Sequence, residues 1–273
     1  MNQRKLLVKH PNLHTENKDK QIYFLCAMPR SGNTLFSSLM NQNPDIAVTA
    51  NSITLEIMKE LFLLKKKDVF QNFPDEQSLN NVMDEVYNLY YKNWNYKAII
   101  DRGPVCTPGN LMVMQKHFKQ PIRCVVLVRD LLDVLASYIK WFENEPTAFP
   151  NQFKTIDEKL SHIMHINGAV SKELQSIQYL SQHHDMAVFV KYDNLVTQPE
   201  KELRKVYNFL NLPYYPHTFT NLNQLVVNGV QYNDSIVGKN MHTIRTEKVM
   251  KVENKYKNKI PERFVKEYGH ITF

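Results

Sequence analysis

A short apolar run, a glycine-bearing turn and then a helical repeat constrain this chain more than any other stretch of it: residues 22–40, IYFLCAMPRSGNTLFSSLM. Residues 22–26 are rich in β-formers, and from Thr34 onward apolar residues recur at helical spacing, which leaves 27–33 as the turn. A turn that opens a helix aims unpaired backbone N–H groups and the positive end of the helix dipole at one point, so an anion fits there. Against the pattern G-x-x-x-x-G-K-[ST], Ala27 takes the first glycine, Gly32 the second, Asn33 the lysine and Thr34 the hydroxyl. The lysine that would clamp a β/γ-phosphate is absent. A cation stands on the loop itself instead, as Arg30.

The rest of the chain reads as strands alternating with helices. After a helix that stops near Asn41-Gln42-Asn43-Pro44, the repeat Ile53, Ile57, Leu61, Leu64 predicts a second helix closed by Lys65-Lys66-Lys67. Leu79, Val82, Met83, Val86, Leu89 and Tyr90 mark a third. A strand over 96–100 runs into Asp101-Arg102-Gly103-Pro104, and a helix follows over 111–118. Residues 121–128 contain VVLV, apolar on both faces as a central parallel strand must be. A helix starts at Leu131, a loop covers 143–154, one long helix spans 156–181, and a strand covers 186–191. Thr197-Gln198-Pro199-Glu200 has the form of a capping box opening a helix with Leu203, Val206, Tyr207 and Leu210 on one side. This order predicts a single α/β domain over 21–273, with a central parallel sheet flanked by helices on both faces, preceded by a polar segment, 1–20.

Charge and composition narrow the partners. Thirty-four Lys+Arg against 27 Asp+Glu give a net +7, which suits an anionic ligand. It suits nucleic acid equally, but no helix interleaves aromatic with basic residues to read one, and no nucleic-acid partner is expected. Cys26, Cys106 and Cys124 lack metal-ligand spacing and read as reduced core thiols. His162 and His165 stand three apart with no third ligand nearby, so no metal is expected. No apolar run has the length of a signal peptide or a membrane span, which leads to the expectation of a cytoplasmic protein.

Three blocks in order carry a family resemblance. The PRSG loop followed by Thr34 resembles that of the sulfotransferases, above all the tyrosylprotein and carbohydrate branch, where it holds the 5′-phosphosulfate of 3′-phosphoadenosine-5′-phosphosulfate. VVLVRDLLDVLASYIKW places Arg129 at a strand's carboxyl end and Ser137 eight residues on, similar to the arginine and serine that bind the 3′-phosphate in that family. KYDNLVTQPEKELRKVYNFLNLP resembles a third segment, with Tyr192 at the position near the adenine. The resemblance implies a P-loop-like sulfotransferase fold that moves a sulfuryl group from that donor to a hydroxyl or amine, without a metal. Arg30, Ser31, Gly32, Asn33, Thr34 and Leu35 would cradle the phosphosulfate, with Arg129, Ser137 and Tyr192 on the nucleotide. His242-Thr243-Ile244-Arg245-Thr246 loosely resembles the segment that closes over the 3′-phosphate, with Arg245 the contact.

The general base is where the chain departs from the family. Asn51 falls where one branch has glutamate, and Arg102 where relatives have lysine or a catalytic histidine. Arg102 is a permanent cation, able to stabilise charge but not to accept a proton. Glu56 and Asp101 are the nearest carboxylates, and either needs burial to serve as a base. Arg30, Arg102 and Glu56 are thus the candidate catalytic residues. The acceptor, a small molecule, carbohydrate or peptide, would be met by 51–95, 143–154 and 213–239. Two other readings stay open: a P-loop kinase or triphosphatase, which needs a lysine at Asn33 and magnesium, and a non-catalytic nucleotide-binding protein on the same fold.

Overall fold

The computed structural model describes residues 20–49, 51–145, 152–222, 226–234, 242, 244, 248–251 and 255–273. The elements run β1 Gln21–Ala27, α1 Asn33–Met40, β2 Ile46–Val48, α2 Thr54–Leu64, α3 Asp68–Asn72, α4 Glu76–Tyr90 and β3 Ala98–Arg102. Then come α5 Pro108–His117, β4 Cys124–Val128, α6 Leu131–Asn144, α7 Ile156–Met164, α8 Ala169–Leu180, β5 Ala187–Lys191, α9 Tyr192–Thr197 and α10 Pro199–Leu210. A two-stranded hairpin, β6 Val226–Val227 and β7 Val230–Gln231, precedes α11 Glu262–Tyr268.

Five strands form one sheet in the order β2-β3-β1-β4-β5, every pairing parallel. Successive side chains of a strand point to opposite faces. Ile22, Phe24 and Cys26 of β1 therefore join Cys124, Val126 and Val128 of β4 in a core covered by α2, α4, α5, α6, α7, α8 and α11. Tyr23, Leu25, Ala27, Val125 and Leu127 face the other way, into a core closed by Phe36, Leu39 and Met40 of α1 and by Leu203, Val206, Tyr207 and Leu210 of α10. The predicted sheet with helices on both faces is what the chain forms. The three cysteines are free and buried, with Cys106 Sγ 4.0 Å from Cys124 Sγ, and burial pushes the Cys124 thiol up.

Several elements depart from the sequence reading. The predicted helix over 156–181 is two, α7 and α8, broken at Gly168, where a Cβ would lie 2.3 Å from the Ile163 carbonyl oxygen. The expected capping box at Thr197 does not form. The Thr197 hydroxyl donates instead to the Asp193 carbonyl (2.7 Å), closing α9, and α10 starts at Pro199 with no side-chain cap. A capping box does form at Thr155 with Glu158, opening α7. Strand β2 and helix α3 were not anticipated, and β3 runs on through Asp101 and Arg102.

Candidate active site

In an open parallel sheet, ligands bind beyond the carboxyl ends of the strands, where connections from a central strand diverge. Here β1 is central, and its end leads into residues 28–32. The carboxyl end of β3 supplies Arg102, that of β4 is followed by Arg129, and that of β5 by Tyr192. Residues 30, 102, 129 and 192 thus converge on one edge because parallel strands end together.

The loop is built to present backbone N–H groups. Arg30 and Gly32 both adopt left-handed conformations (φ 71 and 95), and Ser31 N donates to the Met28 carbonyl (3.2 Å). Such alternation turns successive amides toward one side as an anion-binding nest. Gly32 caps α1 with no side-chain hydrogen bond, and the first amides of a helix have no intrahelical partner. A left-handed arginine carries strain of about 1–2 kcal/mol, and two contacts hold it. Arg129 Nη1 donates to the Arg30 carbonyl (3.0 Å), and Arg30 Nε donates to Ser137 Oγ (3.0 Å). The arginine and serine eight residues apart therefore meet at the loop itself.

Tyr192 roofs this arrangement. Its ring lies under the Arg129 guanidinium at 4.3 Å, and its Cδ2 would be 2.8 Å from a Cβ at Gly32. Gly32→Ala is therefore expected to cost about 1–2 kcal/mol in left-handed strain, with displacement of Tyr192 in addition. Thermal unfolding should register a fall in Tm of about 2–8 °C, and an unchanged Tm would contradict this packing.

Asn33, at the position of the absent lysine, faces Arg102. With its amide oxygen toward the guanidinium it accepts from Nη2 (3.0 Å) and Nε (3.3 Å). The side chain at that position thus recruits a cation from β3 rather than being one. Thr34 is half-buried and Leu35 packs against the core beneath α1, so Leu35 has only its backbone to offer the loop.

The carboxylates sort differently from the sequence reading. Glu56 projects outward from α2 with its side chain 63% exposed and pairs with Lys59 (2.9 Å), so the burial a base needs is not met there. Asp101 is buried, but hydroxyls engage it: Thr49 Oγ1 donates to Oδ1 (2.9 Å) and Thr54 Oγ1 to Oδ2 (2.5 Å). Burial pushes the Asp101 carboxyl up and the hydroxyls of Ser52, Thr54 and Thr49 pull it back. Asp101 is an anchor for the ends of β2 and α2.

Two groups were given no role in the sequence reading, although His242 belongs to the closing segment named there. Glu173 of α8 is buried beneath the start of the loop, and its Oε2 has no partner among the described residues. Burial first, and the Cys26 thiol second, push its carboxyl up to about 8, against the pull of Arg102. Its position three residues after Val170 and one before Leu174, on the apolar face of the repeat, was the available signal. The second group is His242 with Asp234. His242 Nδ1 lies 2.6 Å from Asp234 Oδ1, and the His242 amide donates to Oδ2 (3.0 Å). Burial, and the charges of Arg102 and Arg30, push this imidazole down while Asp234 raises it. Of the predicted closing segment, Arg245, Thr243 and Thr246 lie outside the described residues.

Two buried polar atoms at the loop test whether an anionic nucleotide fits. Ser31 Oγ and Arg129 Nε have no hydrogen-bond partner among the described residues. Buried donors are normally satisfied, and phosphate groups at the loop and at Arg129 would satisfy them. Among the described residues no His/Cys/Asp/Glu cluster is arranged to hold a metal ion, and no helix is long and apolar enough to cross a membrane.

Comparison with known proteins gives this site its context. Among the solved structures that share the fold are two sulfotransferase domains. The sulfotransferase domain from the curacin biosynthetic pathway is 17% identical, with TM-score 0.52, covering 93% of this chain and 99% of that one. The sulfotransferase domain from the Synechococcus PCC 7002 olefin synthase is 14% identical, with TM-score 0.53, covering 95% and 98%. None of the curated proteins matches the chain in sequence. A sequence model described as the sulfotransferase family matches residues 23–216, which takes in the loop, Arg102, Arg129, Ser137 and Tyr192. On that match the chain belongs to the sulfotransferase family.

Proposed function

We propose that the protein transfers a sulfuryl group from 3′-phosphoadenosine-5′-phosphosulfate to a hydroxyl or amine acceptor. One observation carries this reading: the left-handed loop at residues 28–32 is ringed by Arg30, Arg102 and Arg129, with Asn33 bonded to Arg102 where a triphosphate site would have a lysine. The donor supplies a sulfuryl group activated by its bond to a phosphate leaving group. The loop amides and the amide of Leu35 position the 5′-phosphosulfate through backbone donors. Arg30 and Arg102 disperse the charge that develops on the departing phosphate, and being permanent cations they take no proton. Arg129, whose Nε has no partner among the described residues, and Ser137 hold the 3′-phosphate, and Tyr192 shelters the base. The chemistry asked of the protein is positioning and fixed charge. The acceptor is a small molecule, carbohydrate or peptide.

Calorimetric titration tests the donor. Adenosine 3′,5′-bisphosphate should bind in preference to ATP with magnesium, and the opposite order would favour a triphosphate enzyme. Labelled sulfur should then pass from donor to members of a panel of phenols, sugars, amines and tyrosine peptides. Tight bisphosphate binding with no transfer to any of them would mark a binding protein and overturn the enzymatic part.

A further inference from the structure

Arg102 is the last residue of β3, and its backbone is held by a side chain. Strand β2 ends at Val48, which pairs with Ile100. Thr49 extends the ladder by one more bond, its amide donating to the Ile100 carbonyl (3.0 Å). In a continued parallel pairing the carbonyl of that same residue would accept from the amide two places further along β3. Here the Thr49 hydroxyl accepts from it: Oγ1 lies 2.9 Å from the Arg102 amide.

Asp101 fixes that hydroxyl. Thr49 Oγ1 donates to Asp101 Oδ1 (2.9 Å), so its proton is turned to the carboxylate and a lone pair to Arg102. The other carboxylate oxygen accepts from Thr54 Oγ1 (2.5 Å), which ties Asp101 to the start of α2. Thr49, Thr54 and Asp101 are all buried, so water does not compete for these bonds. The far end of Arg102 is held from α1, where Nη2 and Nε donate to the Asn33 amide oxygen (3.0 and 3.3 Å). Backbone and guanidinium are therefore placed by two different elements.

We infer, on the strength of the sulfuryl-transfer reading above, that Thr49 is a positioning residue: its hydroxyl, oriented by Asp101, sets the point from which the Arg102 guanidinium meets the 5′ end of the bound nucleotide. A permanent cation needs no activation, so what the surrounding chain supplies is placement. Without the hydroxyl the Arg102 amide loses its acceptor in a buried setting, and the end of β3 shifts to find another. The guanidinium moves with it.

Calorimetric titration of the whole protein with two probes is the test. Adenosine 3′,5′-bisphosphate carries the 5′-phosphate that Arg102 meets, and adenosine 3′-monophosphate lacks it. Thr49→Val keeps the shape of the side chain and removes the hydroxyl; it should weaken the bisphosphate by about five- to tenfold and leave the monophosphate within about twofold. Thr49→Ser retains the hydroxyl and should restore bisphosphate affinity to within about twofold of wild type. In the Arg102→Ala background, Thr49→Val should have no further effect, because the group it places is gone. Thr54→Val is the control: it strips a hydroxyl from the other oxygen of the same carboxylate, so Tm should fall with bisphosphate affinity kept. Bisphosphate affinity unchanged in Thr49→Val, equal losses for the two probes, or a full loss persisting in the Arg102→Ala background would each overturn the inference and leave the donor assignment intact. Thr49→Cys, with a weaker acceptor in the same place, carries the same comparison if the valine variant does not fold. A wild-type protein that fails to bind the bisphosphate would overturn the donor reading as well.

Discussion

Arg129→Ala is expected to weaken binding of adenosine 3′,5′-bisphosphate by about 100-fold, corresponding to about 2.7 kcal/mol. The side chain does three things at once. It donates to the Arg30 carbonyl, stacks on Tyr192, and carries an Nε with no partner among the described residues. Charge-assisted bonds of this kind contribute about 1.5–3 kcal/mol each. The strained backbone at Arg30 relaxes when its carbonyl partner is removed, so the loop loses shape as well as charge. For the same reason Arg30→Ala and Arg129→Ala should not add: calorimetry on the double variant should show a loss smaller than the sum of the singles. Arg204→Ala provides the control, because Arg204 is on the exposed side of α10 and pairs with Glu200 (2.6 Å). Unchanged affinity in Arg129→Ala would remove the basis for the nucleotide site.

Glu173→Gln is expected to change how stability depends on pH. The carboxyl sits at about 8 in the folded protein, against 4.5 for an ordinary glutamate, because burial penalises the charged form. Below about pH 4.5 both folded and unfolded chains carry the proton and no penalty exists. As pH rises toward 8 the unfolded chain ionises freely while the folded one cannot, so wild-type stability declines across that window. The difference between wild type and variant should therefore change by about 4 kcal/mol between pH 5 and 8. Urea denaturation at a series of pH values measures it, and parallel curves would show that the carboxyl is not held neutral beneath the loop. A buried neutral carboxyl here has a use under the proposed function: an ionised one would repel an anion bound at the loop.

Most of the frame was legible because its signals are local. Residues 124–128 could only be a central strand, being apolar on both faces, and the turn before Thr34 needed Gly32 for its left-handed backbone. What was missed depended on distance or on the absence of a pattern. Strand β2 has three residues, too few to show alternation. The break at Gly168 was hidden because the apolar repeat resumes in phase on its far side. Thr197 and Glu200 had the letters of a capping box, but the Thr197 hydroxyl closes the preceding helix instead. For the site, Arg30, Arg129, Ser137 and Tyr192 were legible as separate motifs. Their mutual contacts were not, since nothing local says that Ser137 would accept from Arg30. His242 and Asp234 stand eight apart beyond the last clear helical repeat, where no periodicity points from one to the other.

The assembly of the loop from residues 30, 102, 129, 137 and 192 bears on how ligands can be sought. These groups come from separate segments of the chain, so affinity that depends on all of them requires the whole sheet to be formed. A compound that binds there withdraws molecules from the unfolded population, adding RT ln(1 + [L]/Kd) to stability, about 2.7 kcal/mol at a concentration 100 times Kd. Melting temperature then becomes an assay that needs no acceptor and no turnover. Acceptors that touch only the donor-loaded protein would reveal themselves by a second rise in the presence of the bisphosphate, and the size of that rise would rank them.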